Sequence, residues 1–482
     1  QLLGHFLRQV AGDDVVHPAG RIGHHDADGP GGPGLCICPG NGQQAKGQQR
    51  RLGRRRESVR SAHEPLLRYN ACELFLPTTV DAYVGQCGLW EIAPGGEHVR
   101  IVDHGDLDLM RLSDRGQRYA GRTLYLRFVE HPFSRWRYWG WRREGHYARM
   151  PHASRFANVG ISTRIIDAFF RLSLVLRRRL PKGTVSAGET LYRETMLDAP
   201  HTYYGRVVRE AGWTVCQYWF FYAVNDWRSS YNGINDHEAD WENVILYLAP
   251  TADGVLAPRW VAFSSHDGEG DALRRRVDDP DLEWLGEHVV AYPGAGSHSH
   301  SPNRTDELVS VNPAIMRRVI RSSAKVLDTL FPWRAGAGDD DGLSIPFVDY
   351  HRGDGVSIGP GAEREWHPVV IGDDTPWVRD FSGRWGRDSR DPFGGESAPT
   401  GPKHERDGID RVRWEDPLGW AGMQKVDPSP DAALAAIADR RAVIQANDTA
   451  MRAAADEHNT VISKVRADQD AAKAAQGGEA KK

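Results

Sequence analysis

The sequence predicts a mainly β protein with helical additions, built on an antiparallel, jelly-roll-like β-sandwich. Short runs of aromatic and β-branched residues alternate with turns that contain Gly and Pro, which is typical of sandwiches. Two segments differ from this pattern: a low-complexity N-terminal arm and an Ala-rich C-terminal helix. We place the boundaries at 1–62 for the arm, 63–425 for the sandwich with its helical insertions, and 426–482 for the helical tail.

The composition favours a soluble chain. Its 482 residues carry a formal net charge of −4 at pH 7, so we expect no nucleic-acid partner. Mean hydropathy is −0.55, and no apolar run reaches the roughly 18 residues of a membrane-spanning helix. The five cysteines have no repeating spacing and predict no disulfide framework. No signal peptide is recognisable, but a chain that begins with Gln1 need not include its own N-terminus.

The arm is rich in Gly, Gln and Arg and has no hydrophobic periodicity, which predicts disorder. Its basic run, Arg50 to Arg60, leaves open an arm that binds nucleic acid or anionic lipid. Order is expected from Pro65, first as an extended segment and then as a short helix that ends near Trp90.

Helical spacing of apolar residues recurs three times later in the chain. Residues 165–179 predict an amphipathic helix that packs on the domain or rests on a membrane surface, and residues 313–330 predict another helix. From Asp431 the tail is helical with an intermittent apolar seam. This tail is either one arm of a coiled coil, which implies a helix-mediated oligomer, or a helix lying on the domain.

Four strands form the predicted core of the sandwich. They are Trp213–Tyr222, Trp241–Leu248, Arg259–Phe263 and His288–Tyr292. The first strand has apolar residues on both faces and is therefore expected at the centre of a sheet. A polar loop, 225–240, leads into the second strand, which Pro250 ends.

The motif His237-x-x-Asp240-Trp241-Glu242 lies where the polar loop meets the second strand. Because side chains alternate along a strand, Asp240 and Glu242 point the same way, roughly 6–7 Å apart at Cα. Buried carboxylates need a partner or a cation. We therefore predict a metal site of Asp226, His237, Asp240 and Glu242. A satisfied polar cluster, with Asp240 capping the loop and Glu242 paired with an arginine, is the alternative.

Two later strand ends carry further candidates. His266 and Asp267 follow the third strand and His298 follows the fourth, so they would join the first group if the strands are neighbours. Carboxylates with a single histidine favour Mg²⁺, Ca²⁺ or Mn²⁺. If His266 and His298 also coordinate, Zn²⁺ or Fe²⁺ fits as well.

The central motif also carries a resemblance to known families. Residues 237–242, preceded by the aromatic strand 217–222, resemble the signature of the vacuolar protein sorting-associated protein 62 family, and residues 264–266 and 296–298 fit the same pattern. More distantly, the motif is similar to the heptapeptide of the necrosis- and ethylene-inducing peptide-like cytolysins.

The cytolysin resemblance implies a β-sandwich that uses a divalent cation to engage membrane glycolipid heads. By this resemblance His237, Asp240 and Glu242 would be the metal ligands and Asp226 the upstream carboxylate. Ala239 stands where the cytolysin motif has a second histidine.

Three functions are consistent with these residues. The first is divalent-cation-dependent binding of a polar or lipid headgroup at a membrane. The second is a metal-dependent hydrolase with Glu242 or His266 as the general base. The third is a trafficking or scaffold protein in which the polar cluster is structural and the C-terminal helix binds partners. A bound metal would separate the first two from the third.

Overall fold

The structure, a computed structural model, describes residues 62–116, 123–144, 182–227, 236–251, 253–264, 270–311, 345–387, 398–406 and 408–479. The predicted arm except residue 62, the predicted helices 165–179 and 313–330, and the candidate ligands His266 and Asp267 lie outside the described residues.

The strands of the described residues are numbered here in chain order. They are β1 Leu66–Arg68, β2 Gly88–Ile92, β3 His98–Val102, β4 Thr123–Arg127, β5 Thr202–Glu210, β6 Trp213–Asn225, β7 His237–Pro250, β8 Leu256–Phe263, β9 Arg274–Arg276, β10 Glu283–Leu285, β11 His288–Pro293, β12 His300–Ser301, β13 Thr305–Val311, β14 Ile345–His351, β15 Ser357–Ile358 and β16 His367–Val370.

The helices are short except for the last one. They are α1 Val80–Val84, α2 Leu109–Arg115, α3 Arg135–Arg143, α4 Thr184–Thr195, α5 Gly270–Leu273, α6 Pro376–Asp380, α7 Val412–Glu415, α8 Pro417–Trp420, a 3₁₀ turn at Met423–Lys425, and α9 Pro430–Glu479.

The sandwich is formed by the two largest sheets of the described residues. One has the order β16-β5-β6-β7-β8-β9, and the other has the order β10-β11-β1-β15 with β12 paired to β11. Apolar side chains of both sheets, including Phe220, Val244 and Ala291, form a shared buried core. The predicted β-sandwich is thus confirmed, although β16 pairs with β5 and β1 with β11 in parallel.

The opposite face of the six-stranded sheet packs against helices and the sheet β3-β2-β4. Aromatic rings dominate this second core: Tyr83 stacks on Phe128 with centroids 4.9 Å apart and meets Phe221 edge-on at 4.8 Å. Such ring pairs add about 0.5–1.5 kcal/mol each beyond their buried area. Covered on both sides, β6 is buried over all 13 of its residues, as expected for a central strand.

Two predicted boundaries were wrong. The segment 225–240 is not all loop, because β6 continues to Asn225 and β7 already begins at His237, where the two strands still pair. Pairing with a neighbouring backbone holds polar residues in a strand that their own propensity does not favour. The helix expected to end near Trp90 ends at Val84, and Trp90 lies in β2.

The C-terminal helix α9 is confirmed, and it extends from Pro430 to Glu479. Its large apolar residues are exposed where the side chains are described, for example Ile444 at 67% and Met451 at 72%. From residue 437 to residue 473 the helix therefore does not lie along the described part of the domain. None of the helices in the described part of the chain is both long and apolar enough to cross a membrane.

Candidate functional site

The candidate site lies where β6 and β7 run together, on the side that faces the second sheet of the sandwich. Asp240 pairs with Tyr222 and Glu242 pairs with Phe220 across the two strands. Both rings belong to the core between the sheets, as does Val244 two residues further along. Asp240 and Glu242 therefore share the inward face with aliphatic residues, at 5% and 1% exposure.

Ala239 interrupts the alternation of β7 with a left-handed backbone, φ 58°. Before it, Glu238 points into the aromatic core, where its carboxylate accepts hydrogen bonds from the N–H groups of Val129 at 2.8 Å and Arg387 at 2.9 Å. After it, Trp241 points into the same core. Glu238 and Trp241 thus point to the same face of the sheet, although regular alternation would place residues three apart on opposite faces. His237 and Asp240 are left on the other face.

His298 bridges two carboxylates inside the sandwich. Its Nδ1 lies 2.9 Å from Oδ2 of Asp240, and its Nε2 lies 3.7 Å from Oε1 of Glu73. Burial lowers the pKa of His298, but the hydrogen bond to Asp240 and the nearby carboxylates of Asp240 and Glu73 raise it to about 9. The ring is therefore an imidazolium at neutral pH, and it stacks on Tyr222 with centroids 3.8 Å apart.

The backbone carries strain at this bridge. Among the described residues, the non-glycine residues with positive φ are Ala211, Ala239 and His298. Each such residue costs on the order of 1–3 kcal/mol and persists when its surroundings over-determine it. Here the N–H of His298 donates to the carbonyl of Gly294 at 2.9 Å, which closes the turn after β11.

Glu73 is a site residue that the sequence motif does not reveal. Its Oε1 accepts from the N–H groups of Leu74 and Phe75, both at 2.9 Å, and its Oε2 accepts from the N–H of Gly296 at 2.6 Å. The carboxylate therefore connects the segment after β1 with the turn that carries His298. Its distance along the chain from the motif explains why no local pattern could have indicated it.

Glu242 accepts a hydrogen bond from Ser264, the residue that directly follows β8. Ser264 donates from Oγ to Glu242 and accepts at 2.6 Å from the N–H of Asn243. The alternative in which Glu242 pairs with an arginine is not tested by this contact. His266 and Asp267 follow Ser264 by two and three residues but lie outside the described residues.

Asp226 and His237 lie at the end of the same strand pair where residues 226–236 connect β6 to β7. Asn225 and His237 are register partners, and Asp226 directly follows β6. Asp226 is 3% exposed and His237 is 2% exposed. Nδ1 of His237 lies 2.7 Å from the carbonyl oxygen of Ala239, so Nδ1 is the donor.

A second buried cluster lies beyond His298, and the motif did not reveal it either. Asp349 accepts from Ser297 and Ser299, each at 2.8 Å. Nδ1 of His351 donates to the carbonyl of Tyr292 at 2.8 Å, and its Nε2 lies 3.5 Å from Asp349. Burial lowers the pKa of His351, but the charge of Asp349 more than offsets it, so that the pKa is raised.

His300 differs from these histidines because no carboxylate bonds to it among the described residues. Its Nδ1 lies 3.2 Å from the carbonyl oxygen of Asn243, and burial lowers its pKa to about 3. The ring is therefore neutral at physiological pH. His298 and His300 are only two residues apart, yet His298 is positively charged and His300 is neutral. The difference arises because His298 contacts carboxylates and His300 contacts a backbone carbonyl.

The four residues of the predicted metal site, Asp226, His237, Asp240 and Glu242, lie at one end of the β6–β7 strand pair, but they do not form a ready metal centre. Within the described residues, no three His, Cys, Asp or Glu side chains are grouped so that they could hold a metal ion. Asp240 is engaged with His298 and with the N–H of Trp241, at 2.9 Å from Oδ1. The metal site therefore stays a prediction.

Comparison with known proteins gives a structural similarity over about a fifth of the chain. No protein-family model matches the chain, and no curated protein matches it. The crystal structure of the non-toxic HaNLP3 protein matches with a TM-score of 0.16 and 20% identity over 20% of this chain and 40% of that chain. NLPPya in complex with mannosamine matches with a TM-score of 0.16 and 19% identity over 21% of this chain and 44% of that chain.

A further structure of NLPPya, in complex with glucosamine, matches with a TM-score of 0.17 and 17% identity over 21% of this chain and 44% of that chain. These are necrosis- and ethylene-inducing peptide-like proteins, and the match spans less than half of each of them. At these TM-scores the similarity carries no argument about function. The resemblance of the motif to the vacuolar protein sorting-associated protein 62 family stays a prediction.

Proposed function

We propose that the end of the β6–β7 strand pair binds a divalent cation, and that the protein uses this cation to bind a polar headgroup of a membrane lipid or glycolipid. The ligands in this proposal are Asp226, His237, Asp240 and Glu242. The observation that carries it is the burial of these four polar side chains, each at 5% exposure or less, at one end of two paired strands.

Burial of several carboxylates together favours a cation. Removing one ionised carboxylate from water costs several kcal/mol unless an opposite charge compensates. His298 brings one positive charge, and it shares that charge between Asp240 and Glu73. A divalent cation would bring two more charges to Asp226, Asp240 and Glu242, which favours its binding.

The hydrogen bond of His237 to the backbone supports its role as a ligand. Metal-binding histidines donate one ring N–H to a carbonyl or carboxylate and coordinate through the other nitrogen. His237 has this arrangement, because its Nδ1 donates to the carbonyl of Ala239. With three carboxylates and one histidine, Mg²⁺, Ca²⁺ or Mn²⁺ is a better match than Zn²⁺.

The headgroup part of the proposal is supported by the motif alone. The sequence His237-x-x-Asp240-Trp241-Glu242 resembles the cytolysin heptapeptide, for which a cation-dependent contact with glycolipid heads is implied. A hydroxyl-rich headgroup can complete the coordination shell of a hard cation with its oxygens. We therefore expect the cation and the headgroup to bind in that order.

Metal content of the full chain tests the first half. The purified protein is dialysed against Mg²⁺, Ca²⁺, Mn²⁺ or Zn²⁺ in turn, and bound metal is measured by elemental mass spectrometry. We expect one equivalent of metal per chain, and at least a tenfold weaker binding in Glu242→Gln. Asp253→Asn is the matched control, because Asp253 is exposed in the turn beyond the other end of β7.

Vesicle sedimentation tests the second half. Vesicles of phosphatidylcholine with and without a sugar-headed glycolipid are pelleted with the protein, in the presence of the bound metal or of EDTA. We expect co-sedimentation that requires both glycolipid and metal. Metal binding without co-sedimentation would contradict the headgroup part of the proposal. An unchanged metal content in Glu242→Gln would contradict the proposed cation site.

A further inference from the structure

The C-terminal helix α9 presents an apolar seam that nothing in the described part of the chain covers. Its 50 residues correspond to a length of ~75 Å at the standard rise. From residue 437 to residue 473 every side chain is exposed except that of Ile462, which is half-buried. A lone helix of mixed sequence gains little stability from its backbone and is stabilised mainly by packing.

The seam has the seven-residue repeat of a coiled coil. Ile437, Ile444, Met451 and Val465 are spaced by multiples of seven, and Leu434 and Ile462 lie three residues before two of these positions. Such a repeat keeps one stripe facing a partner helix and imposes a left-handed supercoil. In heptad terms, the first four residues occupy d and the other two occupy a.

Polar residues within the seam decide the orientation of the partner. Arg441 and Asp448 occupy a positions, and His458 occupies a d position. In a parallel pair each a residue meets its own copy, so Arg441 would face Arg441 and Asp448 would face Asp448. Like charges opposed at a coiled-coil seam are destabilising, which disfavours the parallel arrangement.

An antiparallel pair places each a residue against a d residue of the other copy. In the register that sets Asp448 against His458 of the second copy, Ile462 meets Ile444 and Ala455 meets Met451. The acid is then opposed by a histidine, and the apolar residues nearest the centre of the pair are opposed by each other. By two-fold symmetry each of these contacts occurs twice.

The flanking positions agree with the same register. Arg440 and Asp468 occupy g positions, and g faces g in an antiparallel pair. With Asp448 set against His458, Arg440 of one copy faces Asp468 of the other. The unfavourable contacts of this register are Arg441 against Val465, Gln469 against Ile437, and Arg452 against its own copy at the centre of the pair. The two Arg452 side chains are exposed and screened.

We infer that α9 binds a second copy of this chain as an antiparallel two-stranded coiled coil, with Asp448 of each copy opposite His458 of the other. The occupant of the seam is thus another copy of the protein rather than a membrane or a different protein. The long helices would hold the two sandwiches at opposite ends of the pair.

Sedimentation equilibrium of the full chain tests the pairing. We expect the wild-type protein to have twice the mass of one chain. Ile444→Asp, at a d position, should raise the dissociation constant of the dimer at least 100-fold. Val443→Asp is the matched control, since Val443 is the adjacent residue, is exposed at 59%, and points away from the seam. A monomeric wild type, or equal effects of the two substitutions, would overturn the inference.

A charge exchange tests the orientation. Arg440→Asp and Asp468→Arg should each weaken the dimer about tenfold at low salt by opposing like charges, and the double variant should restore wild-type affinity. In a parallel pair Arg440 would face Gln445 instead, and Asp468 would face Lys473, so the double variant would not be restored. The absence of rescue would therefore overturn the antiparallel register. Helix content, measured by circular dichroism, confirms that each variant is still folded.

Discussion

Nδ1 of His298 lies 2.9 Å from Oδ2 of Asp240, although 58 residues separate the two in sequence. Asp240 belongs to β7 of the six-stranded sheet, and His298 belongs to the turn that follows β11 of the facing sheet. A buried ion pair thus connects the two layers of the sandwich. The candidate site and the stability of the fold consequently depend on the same contact.

Asp240→Asn should destabilise the protein by about 3–5 kcal/mol, because it leaves a buried imidazolium without its shortest ion pair. The measurement is urea unfolding followed by tryptophan fluorescence. Asp253→Asn, which makes the same change at an exposed position, should alter the free energy of unfolding by less than about 0.5 kcal/mol. A loss below about 1 kcal/mol in Asp240→Asn would contradict the ion pair.

The contribution of His298 to stability should depend on pH. Its pKa is raised from 6.5 to about 9 in the folded protein, so the folded state holds the proton more tightly than the unfolded state. This contribution is complete below pH 6.5 and is lost as the pH rises through 9. We expect the difference in unfolding free energy between wild type and His298→Asn to shrink over that range. A constant difference would show that the ring is not charged.

His300 should give the opposite profile. Its pKa is lowered from 6.5 to about 3, so below pH 6.5 the unfolded state takes up a proton that the folded state does not. Stability is therefore lost as the pH falls from 6.5 towards 3. In His300→Asn the free energy of unfolding should fall less steeply between pH 6.5 and pH 3, with a slope that corresponds to about one bound proton fewer. Urea unfolding over the same pH series measures this slope. An unchanged acid slope would be inconsistent with a neutral, buried His300.

Ala239→Gly should stabilise the protein by about 0.5–1 kcal/mol, because glycine adopts positive φ without the steric cost of a Cβ atom. Thermal unfolding measures this. Ala211→Gly, at φ 48° in the exposed turn between β5 and β6, is the control and should give a larger gain, because it removes no buried methyl group. Ala239→Val should destabilise instead, since a β-branched residue is both strained and too large at a fully buried position. A neutral Ala239→Val would argue against the left-handed backbone.

Glu238→Gln should cost about 1–3 kcal/mol, because an amide oriented on two backbone N–H donors offers one acceptor and one donor where two acceptors are needed. The two donors are those of Val129 and Arg387. Burial raises the pKa of Glu238, and these N–H groups lower it in part. Glu287→Gln, at an exposed side chain, is the control. Equal stability of the two variants, by urea unfolding, would contradict the buried contact.

Local residue patterns were enough to predict the strands and the broad architecture. Aromatic and β-branched runs indicate β6 and β7, and alternation correctly places Asp240 and Glu242 on the inward face. The Ala-rich tail indicates α9 for the same reason, because helix propensity and apolar spacing are properties of neighbouring residues. The arm and the helices predicted at 165–179 and 313–330 stay predictions, since they lie outside the described residues.

Other parts of the site could not be predicted from a single stretch. Glu73 reaches the turn of His298 across 223 residues, and Asp349 reaches Ser297 across 52. No local pattern indicates such contacts, because they depend on which strands pair and in what register. The same holds for Ala239. Its left-handed backbone lets both Glu238 and Trp241 point into the aromatic core, and this depends on contacts with distant residues such as Val129.

The sequence by itself determined that this chain forms a β-sandwich with a long C-terminal helix, and that acidic residues face inwards at the end of a central strand. Only the tertiary structure decided what those acids contact: His298 for Asp240, Ser264 for Glu242, and backbone N–H groups for Glu238. The physical reason is the distance along the chain over which each kind of interaction acts. Hydrophobic periodicity acts between neighbours along the chain, whereas the charge state of a buried group depends on whichever distant residues the packed sheets bring beside it.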